Sequence, residues 1–188
     1  MLNKYLGLDG VVAGRAFFKQ QGRKIEIARD DFFFRQGENA RYVGYIGKGG
    51  FRYLSYTSAG KLQIVGYSFL DDFVVDYGSF QKQIKTIVNA QAIKDSIVYA
   101  VTRDELNTYY DNHFDVHFRS ILAETLLADV YERLISLYCD TPEERYLKLL
   151  ENTPEILNLI SLKEIASFIG VTPETLSRIR KNIVSSGK

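Results

Sequence analysis

The 188-residue chain has one cysteine, Cys139, no tryptophan and only two histidines. A single thiol excludes an intrachain disulfide and an iron–sulfur cluster ligated by the cysteines of one chain, and fits a reduced cytosolic thiol. No segment approaches the roughly 20 apolar residues of a membrane span. The first residues, Met1-Leu-Asn-Lys-Tyr-Leu-Gly7, lack the apolar run of a signal peptide. The expectation is a soluble, cytoplasmic protein without membrane contact. Enzyme signatures are missing too: there is no phosphate-binding loop, no Gly-x-Ser-x-Gly elbow and no cysteine–histidine pair. A metal-dependent oxygenase on a β-barrel needs histidine and carboxylate ligands on strands, and no histidine precedes His113. No catalytic residue, metal or resident cofactor is expected, and the chain does not read as an enzyme.

Charge of one sign is also scarce. The net charge is +1, but its distribution is uneven. From Ser161 onward, Lys163, Arg178, Arg180, Lys181 and Lys188 face only Glu164 and Glu174, a net of +3 that leaves −2 for residues 1–160. A polyanion would meet the tail.

What the chain has in quantity is apolar and aromatic surface: 46% hydrophobic residues, with 13 tyrosines and 12 phenylalanines. Residues 10–102 read as β-rich, with strand-like runs at 25–29, 41–46, 50–56, 62–69, 84–88 and 96–101 separated by turn signals such as Gln36-Gly37, Gly47-Lys-Gly-Gly50 and Tyr77-Gly78. Short strands at about ten-residue spacing predict an antiparallel barrel, sandwich or jelly roll. After Thr102 the period changes. Thr102-Arg-Asp-Glu105 is a capping box for a short helix. A long helix is then predicted from about Asn112 to Tyr138, with Phe114, Phe118, Ile121, Leu122, Leu126, Val130, Leu134 and Leu137 at three- and four-residue spacing. Leu127, Tyr131, Ile135 and Tyr138 add a second apolar side, more than packing on one domain needs, which points to the same helix of another subunit. His113 and His117 stand at i and i+4 on this helix; no carboxylate cluster accompanies them, so surface or interface histidines are expected. Thr141 and Pro142 then provide an N-cap and a first helical position.

The last stretch carries the functional reading. Ser161 and Glu164 form a capping box, and Leu162, Ile165, Ala166 and Ile169 give the helix an apolar face. Gly170 supplies the left-handed turn. Thr172 caps a second helix, Pro173 opens it, and Leu176, Ile179 and Ile183 point inward. Glu174, Thr175, Ser177, Arg178 and Lys181 then face outward, with Arg180 near the edge. Such a pair can lay its second helix in the major groove of duplex DNA. Arg178 can bond guanine and Glu174 can accept from cytosine N4. Thr172, Thr175, Ser177, Lys163, Arg180 and Lys181 suit phosphate contacts.

Glu164-Ile-Ala-Ser-Phe-Ile-Gly-Val-Thr-Pro-Glu-Thr-Leu-Ser-Arg-Ile-Arg-Lys181 resembles the DNA-binding segment of the Crp/Fnr family of bacterial transcription regulators. Glu143-Glu-Arg-Tyr-Leu-Lys-Leu-Leu150 resembles the helix that precedes it, the long helix resembles the family's dimerisation helix, and the β-rich half resembles its cyclic-nucleotide-binding roll. The resemblance implies an α+β fold: a double-stranded β-helix or jelly-roll sensor over 1–110, a dimerisation helix over 111–140, and a small all-α helix-turn-helix domain over 141–188 without a full wing. It implies a homodimer joined through helix 112–138, bound to double-stranded DNA, with Glu174 and Arg178 as base readers. Where a basic residue often precedes that glutamate, this chain has Pro173.

The sensor departs from the family pattern. Nucleotide-binding members hold ribose and cyclic phosphate with a Gly-Glu pair and an Arg-Ser pair. Here Val75-Asp76 falls at the first, and Lys85-Thr86 or Thr86-Ile87 at the second. No arginine stands between Arg52 and Arg103. Asp76, Lys85 and Thr86 are the candidate ligand contacts, and ordinary surface charge is the alternative. Lys85 is a point charge, not a bidentate fork, so cyclic AMP is not the expected effector. A different small-molecule effector, or control without a ligand, both stay open. The competing functional reading is a ligand- or protein-binding module whose C-terminal helices dock a protein.

Overall fold

The computed structural model describes residues 4–185, so the charge of Lys188 lies outside the described residues. A 3-10 turn, Lys4–Gly7, leads into α1 (Asp9–Gln21). Eight strands follow: β1 (Arg23–Ile27), β2 (Phe32–Phe34), β3 (Tyr42–Lys48), β4 (Gly50–Tyr56), β5 (Leu62–Phe69), β6 (Phe73–Val74), β7 (Asn89–Ala92) and β8 (Ser96–Thr102), with α2 (Tyr77–Lys82) between β6 and β7. The C-terminal helices are α3 (Arg103–His113), α4 (Phe118–Cys139), α5 (Pro142–Asn152), α6 (Ile156–Leu159), α7 (Leu162–Phe168) and α8 (Pro173–Ser185). Two compact units result, residues 5–123 and 124–185, which divide within α4.

The strands form two four-stranded antiparallel sheets, β1-β8-β3-β6 and β2-β7-β4-β5. Alternation sends one side of each strand inward. Ile27, Ile46, Val74 and Val98 from the first sheet and Phe34, Phe51, Ala90 and Ala92 from the second make one core cluster. The predicted jelly roll is therefore present.

The structure corrects the sequence reading in four places. The region read as β-rich from residue 10 begins with α1, whose glycines hid it. A Cβ on Gly10 would lie 2.3 Å from a ring carbon of Phe118, so glycine is there for close packing, not for a turn. Tyr77-Gly78, read as a turn, opens α2 instead. The run Ile84–Val88 is not a ladder strand. Its main chain is tied to the β2–β3 loop: the Gly37 amide donates to the Thr86 carbonyl and the Thr86 amide to the Glu38 carbonyl, both at 2.8 Å, and the Ala40 amide donates to the Ile84 carbonyl at 3.1 Å. The sheet strand comes later, at Asn89–Ala92.

The long helix begins at Phe118, not Asn112. Phe114 ends α3, and Asp115 turns the chain: its carbonyl accepts from the Phe118 amide and its side chain from the His117 amide at 2.8 Å. The helical period persisted across this break because the rings still meet. Phe114 stacks on Phe118 at 4.8 Å, and Tyr110 meets Phe118 edge-on at 5.3 Å. His113 and His117 consequently share no helix and cannot act as an i, i+4 ligand pair.

Phe51 is fully buried at the centre of the roll. Phe51→Ala should destabilise the chain by about 3–5 kcal/mol, read as a lower denaturant midpoint at unchanged slope.

Candidate DNA-reading surface and sensor pocket

Three capping boxes, each a threonine or serine three residues before a glutamate, start the helices that matter here. Thr102 and Glu105 open α3, Thr141 and Glu144 open α5, and Ser161 and Glu164 open α7, every one with its reciprocal bonds. Backbone amides and the Thr141 hydroxyl hold the Glu144 carboxyl below its ordinary pKa. At the end of α7, Gly170 adopts φ +75°, a left-handed value that other residues take only with strain, and the Val171 amide returns to the Ala166 carbonyl at 2.9 Å. The Thr172 hydroxyl accepts from the Thr175 amide at 3.2 Å and starts α8.

Helix α8 packs on α7 and on α5. Ile165, Ala166, Ile169, Leu176 and Ile179 are buried, with Tyr146 and Leu149 of α5. Ile183 is only half-buried. Leu162, assigned from sequence to the apolar face of α7, is 42% exposed, because the first residue of the helix lies beyond the packed side. On the opposite side, Lys163, Thr172, Glu174, Ser177, Arg178, Arg180 and Lys181 are exposed, and Thr175 is half-buried with its hydroxyl 3.1 Å from that of Thr172. Among the described residues, Lys163, Arg178, Arg180 and Lys181 meet no carboxylate in an ion pair. Backbone amides, then the Thr172 hydroxyl and Arg178, hold the Glu174 carboxyl below its ordinary pKa.

Two arginines that sequence reasoning missed brace this helix pair. Arg145 on α5 donates through Nε to the carbonyl of Ile169 at 2.9 Å and through Nη1 to that of Asp140 at 2.7 Å. One guanidinium thus joins the end of α4 to the end of α7, satisfying carbonyls that helix ends leave unpaired. Asp140 is fixed in turn by Lys148 at 2.7 Å and by the Ser136 hydroxyl at 2.5 Å. The guanidinium of Arg133 on α4 sits 4.1 Å above the ring of Phe168, and burial lowers its pKa to about 10, still charged at neutral pH. Neither role has a sequence signal, since both depend on residues 24 and 35 positions apart.

Within the roll, Asp76, Lys85 and Thr86 do come together. They line one pocket of about 490 Å3 with Phe33, Phe34, Glu38, Arg41 and Tyr42. That size suits a small molecule. The Asp76 carboxyl, however, is not free surface charge. One oxygen accepts from the Ser79 amide at 3.3 Å, capping α2, and the other from the Ile87 amide at 2.9 Å. Thr86 is buried, and its hydroxyl donates to the Arg35 carbonyl at 2.7 Å. Lys85 is exposed. On the facing strand, the Tyr53 hydroxyl accepts from the Val75 amide at 3.1 Å and lies 3.3 Å from the Ser68 hydroxyl. Burial holds the Tyr53 phenol well above its ordinary pKa.

Residues 24–113 match the cyclic nucleotide-binding domain family. No curated protein sequence matches the chain. Solved structures do. FixK2 from Bradyrhizobium japonicum is 21% identical, over 88% of this chain and 86% of that one, with a TM-score of 0.73. CLP of Xanthomonas campestris, described as a c-di-GMP-responsive global regulator, is 16% identical over 95% and 92%, with a TM-score of 0.67. A CooA mutant from Carboxydothermus hydrogenoformans is 14% identical over 92% and 80%, at 0.69. The chain has the Crp/Fnr fold. A likeness over 88% or more of the chain extends beyond the roll into the helices that follow it. Among the described residues, no helix of the Crp/Fnr-like chain is long and apolar enough to cross a membrane, and no group of three or more His, Cys, Asp or Glu side chains could hold a metal.

Arg145→Ala would leave two carbonyls without their donor. It should lower stability by about 1.5–3 kcal/mol, as loss of a hydrogen-bonded charged group does; thermal melting of the full chain measures it, and an unchanged midpoint would show that the brace contributes nothing.

Proposed function

We propose that this protein is a dimeric DNA-binding transcription regulator that lays α8 in the major groove. The observation that carries this reading is the set of exposed cations on α7 and α8, unpaired among the described residues and held on a capped, braced helix pair. Arg178 and Glu174, one helical turn apart, are the base readers. Lys163, Arg180 and Lys181, with Thr172, Thr175 and Ser177, hold phosphates. No catalytic role is proposed for any residue, and the working compartment is the cytoplasm.

The dimer runs through α4. Of its 22 residues only Leu122 is buried, while Leu127 (69%), Val130 (66%), Leu134 (46%) and Leu137 (46%) stand exposed at three- and four-residue spacing, flanked by Tyr131, Ile135 and Tyr138. This is the seam of a two-stranded coiled coil. Pairing it places two copies of α8 about one DNA turn apart, roughly 34 Å, on a pseudo-palindromic site. The roll over 1–110 is the sensor, residues 111–140 connect it to the partner, and 141–188 read DNA.

The sensor is not a cyclic AMP receptor. A cyclic nucleotide needs an acceptor for its ribose hydroxyl and a fork for its phosphate. Asp76 has both oxygens on backbone amides, no arginine lies between Arg52 and Arg103, and Tyr53 already bonds the Val75 amide.

Arg178→Ala should weaken specific binding by about 1–3 kcal/mol and relax one base position; equal losses on every operator variant would reject base reading. Lys181→Ala should lower affinity on all sequences alike and reduce the salt slope by about one unit. Negligible binding of random duplex at low salt would favour the protein-docking reading instead. Leu134→Lys should turn the dimer into a monomer in sedimentation equilibrium, with the folding transition retained.

A further inference from the structure

We infer that the pocket between the β2–β3 loop and residues 84–86 binds a small anion with a flat apolar body, held between Arg41 and Lys85. The inference rests on the roll being the sensor and adds the class of its effector.

Four charged side chains line the pocket: Glu38, Arg41, Asp76 and Lys85. Asp76 is committed through both of its oxygens and Glu38 through one. Glu38 accepts from the Arg35 amide at 3.0 Å, and Asp76 accepts from the amides of Ser79 and Ile87. Both cations are exposed, and among the described residues neither meets a carboxylate or any other side-chain partner. Two exposed cations therefore stand on the rim against a single carboxylate oxygen, that of Glu38, left without a partner among the described residues, and the unspent charge is positive in excess.

The backbone sets these two cations close together. Asn39 and Lys85 pair in an antiparallel bridge, and the Ala40 amide bonds the Ile84 carbonyl at 3.1 Å. Arg41 thus stands two residues beyond the bridge partner of Lys85, and both line the same cavity. Arg41 brings the planar fork that the 76–87 segment lacks, from a different loop. Phe33, Phe34 and Tyr42 line the same cavity and give it an aromatic wall. Two donors of positive charge beside aromatic faces select a ligand with a carboxylate or phosphate at one end and a planar ring at the other. A cyclic nucleotide is not the expected ligand, since Asp76, the residue at the family's ribose-binding position, has both oxygens on backbone amides.

Titration calorimetry on the full chain, without DNA, tests this with phenyl phosphate, inorganic phosphate, phenol and cyclic AMP. Because no DNA is present, failure of the DNA reading would leave the outcome untouched. Phenyl phosphate should bind once per chain, about tenfold or more tighter than inorganic phosphate or phenol, since each of those lacks one half of the recognition. Arg41→Gln and Lys85→Gln should each weaken it about tenfold, as loss of one charge-assisted contact does, and the double variant should abolish it with an unchanged melting curve, both side chains being exposed. Phenyl phosphate binding that survives the double change, no binding up to millimolar concentration, or tighter binding of cyclic AMP would each overturn the proposal.

Discussion

The guanidinium of Arg145 holds two carbonyl groups that helix geometry leaves without partners, and it ties the end of α4 to the end of α7. One carbonyl closes the α4 side of the joint at Asp140; the other ends α7 at Ile169. Apolar packing among α5, α7 and α8 holds the pair together, and the Arg145 contacts add fixed polar attachments at the ends of α4 and α7. A planar fork with fixed donor directions suits this task better than a lysine would. Arg133 on the ring of Phe168 adds a second point of attachment one helix earlier. With two attachments the pair cannot simply swivel about the Asp140–Thr141 joint.

Helix α4 raises the opposite problem. Leu127, Val130, Tyr131, Leu134, Leu137 and Tyr138 lie on the surface of a single copy, although the roll and the C-terminal bundle each have closed cores of their own. A monomer would carry this stripe in water without return, an arrangement that soluble chains rarely keep unless another surface covers it. The small residues Ser120 and Ala123 precede the stripe, and the large ones follow Leu127. The exposed apolar surface is thus concentrated in the second half of α4.

Local signals were legible in the sequence, and contacts between distant segments were not. The caps at Thr102, Thr141 and Ser161, the turn at Gly170 and the inward positions Ile165, Leu176 and Ile179 depend on neighbours within a few residues, and the structure has them as read. Gly10 of α1 misled because its reason is the ring of Phe118, more than a hundred residues away. Ile84–Val88 has the composition of a strand but spends its hydrogen bonds on a loop fifty residues earlier. The break between α3 and α4 was hidden because Phe114 and Phe118 pack as if the helix ran on. In the sensor, family register led to Asp76, Lys85 and Thr86 and missed Arg41. Only the apposition of two loops puts that arginine on the same cavity.

That apposition is made of main-chain bonds, Gly37 and Glu38 to Thr86 and Ala40 to Ile84, together with the side chains of Thr86 and Gln83, and among the described residues the side chains of Arg41 and Lys85 take no part in it. A wall so built is indifferent to what those two side chains carry. Arg41 and Lys85 could be exchanged for residues of other charge, size or polarity while the scaffold that displays them kept its shape. Chemical preference and architecture are thereby uncoupled, and descendants of such a chain can take up new signals without having to refold.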